Sequence, residues 1–302
     1  MASDVSVLIP AYGDSPYLIE TLTSISNNSV LPGEVLIIDD GLSDKVLLEI
    51  RNFQGSFHPL IRKSEGKGLV DALNTGLKLA QFKFICRIDN DDLMLEKRIE
   101  TQLKYLEKNT KAVAVGSQCT YIDSNGNETG LSSYFVGDIS NSPKFSTRCL
   151  IAHPSTMYLR SAALSINGYR SIFNWNGTDI AEDFDFWLRL SRLGEIIVIN
   201  EFLTKYRQHP KQLSSLNSLG QSLGTPYISA VNKGELDSPK CLIFSPTDIS
   251  QRKYLTRIVG QYLGIKKRLA LDLIFSQIQN PRITGIKVVR SFILKTIHLL
   301  ER

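Results

Sequence analysis

Over the first 120 residues, short apolar runs alternate with segments whose apolar residues recur at helical spacing. Val5 to Ile9 precedes Pro16 to Ile25, Val35 to Ile38 precedes Lys45 to Ile50, and Leu69 to Ala80 leads into Phe82 to Ile88. A helical stretch from Glu96 to Lys108 then leads into Ala112 to Val115. Alternation of this kind predicts a mostly parallel sheet connected by helices. Ser15-Pro16 reads as a helix cap followed by proline at the first helical position. Leu69, Ala72, Leu73, Gly76, Leu77 and Ala80 share one helical face. Open α/β sheets take ligands beyond the carboxyl ends of their strands, so residues just after each apolar run are the candidates for chemistry.

Beyond Val115 the pattern loosens. Ser124 to Asn127 is a turn cluster, Tyr134 to Val136 reads as a short strand, and Arg148 to Leu159 as an irregular segment ending in a strand. A helix is expected over Glu182 to Leu193 and a strand over Ile196 to Ile199, followed by a linker over 215–250. From Gln251 the chain reads as helical and basic, with 11 Lys and Arg against 2 Asp and Glu. The remaining residues carry 24 basic and 28 acidic side chains, so the net +5 of the 302-residue chain comes from its tail and does not imply nucleic acid. With 42% hydrophobic residues the chain can form one large or two ordinary cores, which excludes disorder and collagen. Cys86, Cys119, Cys149 and Cys241 show neither disulfide-framework nor zinc-ligand spacing. No run reaches the ~18 apolar residues of a membrane span, and Val5 to Ile9 is too short for a signal-peptide core. An intracellular, cytoplasmic protein is the expectation.

Three acidic clusters follow predicted strands or open a predicted helix. Asp89-Asn90-Asp91-Asp92 places three carboxylates at the end of Phe82 to Ile88. Such close like charges repel, and hard oxygen ligands suit Mg²⁺ or Mn²⁺. Helix capping explains one or two of these aspartates but not three. Asp39-Asp40 ends the second strand, where carboxylates suit a ribose or a base N–H, or simply form a turn with Gly41. Lys67, between two glycines, either offsets phosphate charge or is solvated. Glu182-Asp183 opens a helix, where the ionised form is favoured; the pair is either a general base or a cap. Phe184, Phe186, Trp187 and Leu188 read as core. His153 and His209 stand in suggestive contexts that spacing alone does not resolve.

Taken together, these segments resemble the family 2 glycosyltransferases of the GT-A fold, of the WcaA-like bacterial type. The resemblance rests on Val5 to Tyr12, Ile37 to Gly41, Gly68 to Leu77 and Arg87 to Asp92. It continues through His153 to Met157, Gly168 to Arg170, Ala181 to Leu190 and Tyr206 to His209 with Ser214, and so covers about residues 4–214. It implies a Rossmann-like mixed sheet flanked by helices over 1–214; the helical C-terminal extension over 251–302 is expected from that segment's own pattern. The implied activity is inverting transfer from a nucleotide-diphosphate sugar, most often a UDP-sugar, to a saccharide or lipid-linked saccharide in surface polysaccharide synthesis. Pro10, Ala11, Tyr12, Asp39, Lys67, Asp89 and Asn90 would bind the donor nucleotide. Asp91 and His209 would hold Mg²⁺ or Mn²⁺, Asp183 would be the base, and Glu182 and His153 would line or support the acceptor side. Gly13-Asp14 and Leu42 depart from the common family pattern, which bears on donor choice.

In the tail, Ile283, Ile286, Val289, Ile293, Ile297 and Leu300 form a stripe with lysines mainly elsewhere. Such a helix either lies on an anionic membrane surface, which would put the enzyme at the inner face of the cell membrane, or packs on protein. Two other functions share parts of this pattern. A sugar-nucleotide nucleotidyltransferase would carry a glycine-rich loop where this chain has Pro10 to Asp14. A catalytically degenerate nucleotide-sugar binder would not need Asp89, Asp91 and Asp183 together.

Overall fold

The structure, a computed structural model, describes residues 3–175, 177–210, 212, 218–234 and 242–244. The chain divides into two compact units, Met1–Arg170 with Asp183–Pro210, and Ser171–Glu182 with Lys211–Arg302.

The first unit is built on a ten-stranded mixed sheet. Its leading half holds β1 (Val5–Gly13), β2 (Glu34–Leu42), β3 (Leu60–Lys63) and β4 (Phe84–Arg87), all parallel, in the order β3-β2-β1-β4. Next to β4 lies β9 (Met157–Leu159), antiparallel both to it and to β6 (Ala112–Ile122). Two antiparallel steps restore direction, and β12 (Glu195–Arg207) runs parallel to β6. The carboxyl ends of β1, β2, β4, β6 and β12 therefore share one edge of the sheet. Short β5 (Leu93–Met94), β7 (Glu128–Leu131) and β8 (Gly137–Asp138) add antiparallel pairings to β12, β6 and β12.

Both faces of the leading strands are covered. Leu8, Leu36 and Ile38 point to one core with α3 (Leu69–Leu79), α5 (Arg160–Ser165) and α6 (Glu182–Leu190). Val7, Ile9, Val35 and Ile37 point to the other, with α1 (Leu18–Ser26), α2 (Asp44–Arg51) and α4 (Arg98–Lys108). Alternation of side chains along each strand produces the two layers, and burial on both faces explains the continuous apolar runs. Each fully buried Leu or Ile contributes about 1.5–3 kcal/mol. Gly76 lets α3 lie close on β1, since a Cβ there would stand 2.0 Å from Leu8 Cδ1.

Several expectations meet a different local structure. Ser15 does not cap α1, which begins at Leu18; its hydroxyl donates instead to the Asn90 carbonyl at 3.3 Å. Tyr134 to Val136 is not a strand, because the Gln118 side chain takes both backbone groups of Tyr134, accepting its N–H and donating to its carbonyl, each at 2.9 Å.

In the second unit β10 (Phe173–Trp175) pairs with β11 (Thr178–Asp179) and with β13 (Leu242–Phe244). The stretch expected as a linker over 215–250 contains β13 and the helix α7 (Ser218–Asn232). Its glycines read as loop punctuation but serve close packing: a Cβ on Gly220 or Gly224 would stand 2.9 Å from Trp175 or Phe173. Tyr227, Ile228, Ala230 and Val231 are buried. The apolar stripe of 283–300 lies outside the described residues. Among the described residues no helix is long and apolar enough to cross a membrane.

Candidate functional site

The shared carboxyl edge gathers the acidic clusters. At the end of β2, Asp39 is buried and sits opposite Ala11 of β1. Its Oδ1 accepts the N–H groups of Gly41 and Leu42 at 2.8 and 2.7 Å, and Lys63 lies 2.6 Å from Oδ2. Burial alone would raise its pKa, but Lys63 and the two amides together outweigh it and hold the carboxyl below the ordinary value. Asp40 Oδ2 accepts the Gly68 N–H at 2.8 Å, which ties the exposed Lys67 loop to the same edge. Burial pushes the Asp40 pKa up against that amide. Beside them Pro10 and Ala11 are buried, and the Tyr12 ring is 73% exposed, so it offers a free aromatic wall. A Cβ on Gly41, whose φ is +122°, would stand 3.4 Å from that ring. The two departures at Gly13 and Leu42 face each other across β1 and β2.

Past β4 come the three aspartates. Oxygens of Asp89, Asp91 and Asp92 lie within 4.8 Å of one another. Asp91 Oδ2 is 2.9 Å from His209 Nε2, a contact between residues 118 positions apart that the parallel placement of β12 makes possible. Asp92 is buried, accepts the Arg207 N–H at 2.7 Å through Oδ1, and leaves Oδ2 buried with no partner among the described residues. Burial first, then the neighbouring carboxylates, push the Asp92 carboxyl well above its ordinary value, and burial with Asp89 raises Asp91 against the pull of His209 and Arg87. A group of crowded carboxylates carrying an orphaned buried oxygen and a histidine fits a hard divalent cation. Asn90 is half-buried between them.

Arg207 braces this loop. Its Nε donates to the Asp91 carbonyl at 2.8 Å, Nη2 reaches Glu20 at 2.6 Å, and its guanidinium lies 4.2 Å over the Tyr17 ring. The same ring approaches His209 with centroids 5.7 Å apart, so Tyr17 packs beside both. Arg87, buried at the end of β4, forks onto Asp89.

Asp183 enters from the start of α6. Its Oδ1 accepts the Phe184 N–H at 2.7 Å, and the Cys149 thiol lies 3.9 Å from Oδ2. Burial raises its pKa; the Phe184 amide and Arg87 pull it down, and Asp89 pushes it up. Asp183 and Asp91 thus both sense Arg87 and Asp89 and belong to one electrostatic neighbourhood. Glu182 is buried, as are Phe184, Phe186 and Trp187. His153 does not open onto the sheet edge: it is buried, with Nε2 2.9 Å from the Tyr169 hydroxyl, and burial with nearby Arg87 holds its pKa well below the usual range. It stays neutral and packs against Trp187, which makes it a support rather than a wall of the open edge.

Arg87, Arg207 and Tyr17 are site residues to which sequence alone assigns no role. Both arginines stood inside the motifs quoted for the resemblance, and a charge closing an apolar strand was the available signal at Arg87. Tyr17 carried none.

The sequence pattern of glycosyl transferase family 2 matches residues 6–166, more than half of the chain. The chain belongs to that family. A Haemophilus influenzae protein described as an uncharacterized glycosyltransferase is 33% identical over 226 residues, covering 70% of this chain and 68% of its relative. Chondroitin synthase of Escherichia coli is 30% identical over 204 residues, 65% of this chain but only 28% of that larger protein. Among solved structures, Staphylococcus aureus TarS in complex with UDP-GlcNAc superposes with a TM-score of 0.62 at 15% identity, covering 100% of this chain and 90% of that one. A mannosyltransferase of Pyrobaculum calidifontis with GDP-Man and Mn²⁺ gives 0.60 at 14% identity, covering 100% and 81%. The mixed sheet flanked by helices is the GT-A fold.

Proposed function

We propose that this family 2 glycosyltransferase inverts the anomeric carbon of a nucleotide-diphosphate sugar, with Asp183 as general base and a divalent cation at Asp91 and His209. The observation that carries the reading is the meeting of Asp89, Asp91 and Asp92 within 4.8 Å, with His209 on Asp91. Asp39, beside the wall of Pro10, Ala11 and Tyr12, receives the base of the nucleotide, with Lys67 near the phosphates and Asp89 and Asn90 near the ribose. A uracil or guanine presents ring N–H donors to such a carboxylate. The TarS and Pyrobaculum structures, which hold UDP-GlcNAc and GDP-Man with Mn²⁺, support a nucleotide-sugar donor and a divalent metal.

Inversion takes one in-line displacement. Asp183 accepts the proton of the acceptor hydroxyl as its oxygen bonds to the anomeric carbon and the bond to the diphosphate breaks. No covalent intermediate on the enzyme is required. Mg²⁺ or Mn²⁺, when bound, neutralises charge on the departing diphosphate. Glu182 flanks the base in sequence at the start of α6, and His153, packed on Trp187, supports that helix from within. The acceptor is a saccharide or lipid-linked saccharide of a surface polysaccharide, a reading supported by the similarity to chondroitin synthase. The basic tail would bring the cytoplasmic enzyme to an anionic membrane surface.

A donor panel tests this. UDP release from a UDP-sugar, dependent on Mn²⁺, is expected; pyrophosphate release in its place would identify a nucleotidyltransferase.

A further inference from the structure

The acidic cluster holds a cation of its own. The Arg87 side chain is 3% exposed and reaches both oxygens of Asp89: Nη1 donates to Oδ2 at 2.6 Å and Nη2 pairs with Oδ1. A two-pronged contact of this kind fixes the carboxylate in the guanidinium plane. The backbone beneath it is tied on both sides, since the Arg87 N–H donates to the Thr156 carbonyl at 3.0 Å and its own carbonyl accepts Arg98 Nη2 at 2.7 Å. The three aspartates are therefore not equivalent. Asp89 has both oxygens committed to a fixed positive charge. Asp91 offers one oxygen to His209, and Asp92 keeps a buried oxygen without a partner among the described residues.

We propose that Arg87 is a positioning residue that divides the cluster's work: its fork keeps Asp89 out of the cation's ligand set and aimed at the donor nucleotide, and leaves Asp91 with His209 to take the metal. The inference rests on the glycosyltransferase reading above. A carboxylate neutralised by a guanidinium is a poor ligand for a second cation, because the metal would have to approach a like charge across the same few ångströms. The geometry of the fork matters as well as its charge, since a lysine supplies the charge at a point and cannot span both oxygens.

The test uses the full chain and two readouts separate from turnover: Mn²⁺ binding by electron paramagnetic resonance, and UDP or GDP binding by calorimetry with Mn²⁺ present. Asp91→Asn is expected to weaken Mn²⁺ binding at least about tenfold, whereas Asp89→Asn leaves it within about threefold and weakens the nucleotide instead. Arg87→Lys is expected to keep Mn²⁺ affinity and weaken the nucleotide at least about tenfold. Arg87→Met removes the repelling charge and frees Asp89, so Mn²⁺ binding tightens, an outcome that general loss of structure would not produce. If that variant does not fold, Arg87→Lys and Asp89→Asn still decide. Equal loss of Mn²⁺ binding in Asp89→Asn and Asp91→Asn overturns the division of roles while leaving the enzyme reading intact. A wild-type chain that binds neither Mn²⁺ nor nucleotide overturns both.

Discussion

Replacing Asp185 by Asn separates holding the base from being the base. Asp185 lies two positions after Asp183 on α6 and is fully buried. Its Oδ2 accepts Arg170 Nε at 3.1 Å and Arg189 Nε at 2.8 Å, and its Oδ1 accepts Arg170 Nη2 at 2.6 Å. Arg189 continues to the carbonyls of Ile166 and Gly168, each at 2.7 Å, so the carboxylate joins α6 to the turn after α5. An asparagine removes the charge and turns one acceptor into a donor facing a guanidinium. Removing one partner of a buried pair costs about 3–5 kcal/mol. The low end applies, because the Arg170 side chain is 38% exposed and rehydrates while Arg189 is 7% exposed and does not. A unit of this size loses about 2–4 °C per kcal/mol, so Tm should fall by about 6–12 °C, read by circular dichroism. Asp183→Asn is the control. Burial raises the Asp183 pKa in the folded state, so at neutral pH its charge opposes folding, and a neutral isostere leaves Tm equal or higher while removing transfer. Below Tm, Asp185→Asn should lower kcat more than it raises the donor KM. A Tm within about 2 °C of wild type would refute the buried-pair reasoning.

Three further outcomes follow from the same geometry. Asp91→Ala should abolish the gain in donor affinity that Mn²⁺ confers, measured by thermal shift with and without metal; an unchanged gain would take the cation away from Asp91. If Asp183 is the base, as proposed, the acid limb of kcat should lie above the ordinary aspartate value of about 3.9, because a base accepts a proton only when ionised and burial raises this pKa; activity is lost as pH falls through the raised pKa, and a limb at or below the ordinary value contradicts the assignment. Gly76→Ala should lower stability by about 1–3 kcal/mol in urea denaturation, since the added methyl meets Leu8.

The acids were legible because each follows an apolar run that the sheet has to bury, and a carboxylate at such a position is already at the ligand edge. Asp39, Asp89 and Asp91 could be placed in this way. His209 could not, since nothing local joins it to Asp91; the contact depends on β9 reversing direction, β6 reversing it again and β12 running parallel to β6. Arg87 is legible only as a charge closing an apolar strand; its fork onto Asp89, two residues on, is a property of the folded chain. The edge strand Leu60–Lys63 is not legible in the sequence because Leu-Ile-Arg-Lys has no sustained apolar run. Gln118 misled in the opposite sense by satisfying the backbone of Tyr134, which leaves an apolar segment without a strand partner.

On the proposed reading, a carboxylate on α6 completes a transfer whose donor is held at the strand ends. Its most direct measurement pairs donor affinity with sugar transfer for wild type and Asp183→Asn, in the presence of Mn²⁺ and a saccharide acceptor. Near-equal donor affinity and loss of transfer by about 10²–10⁴-fold are expected. Full turnover by Asp183→Asn would contradict it.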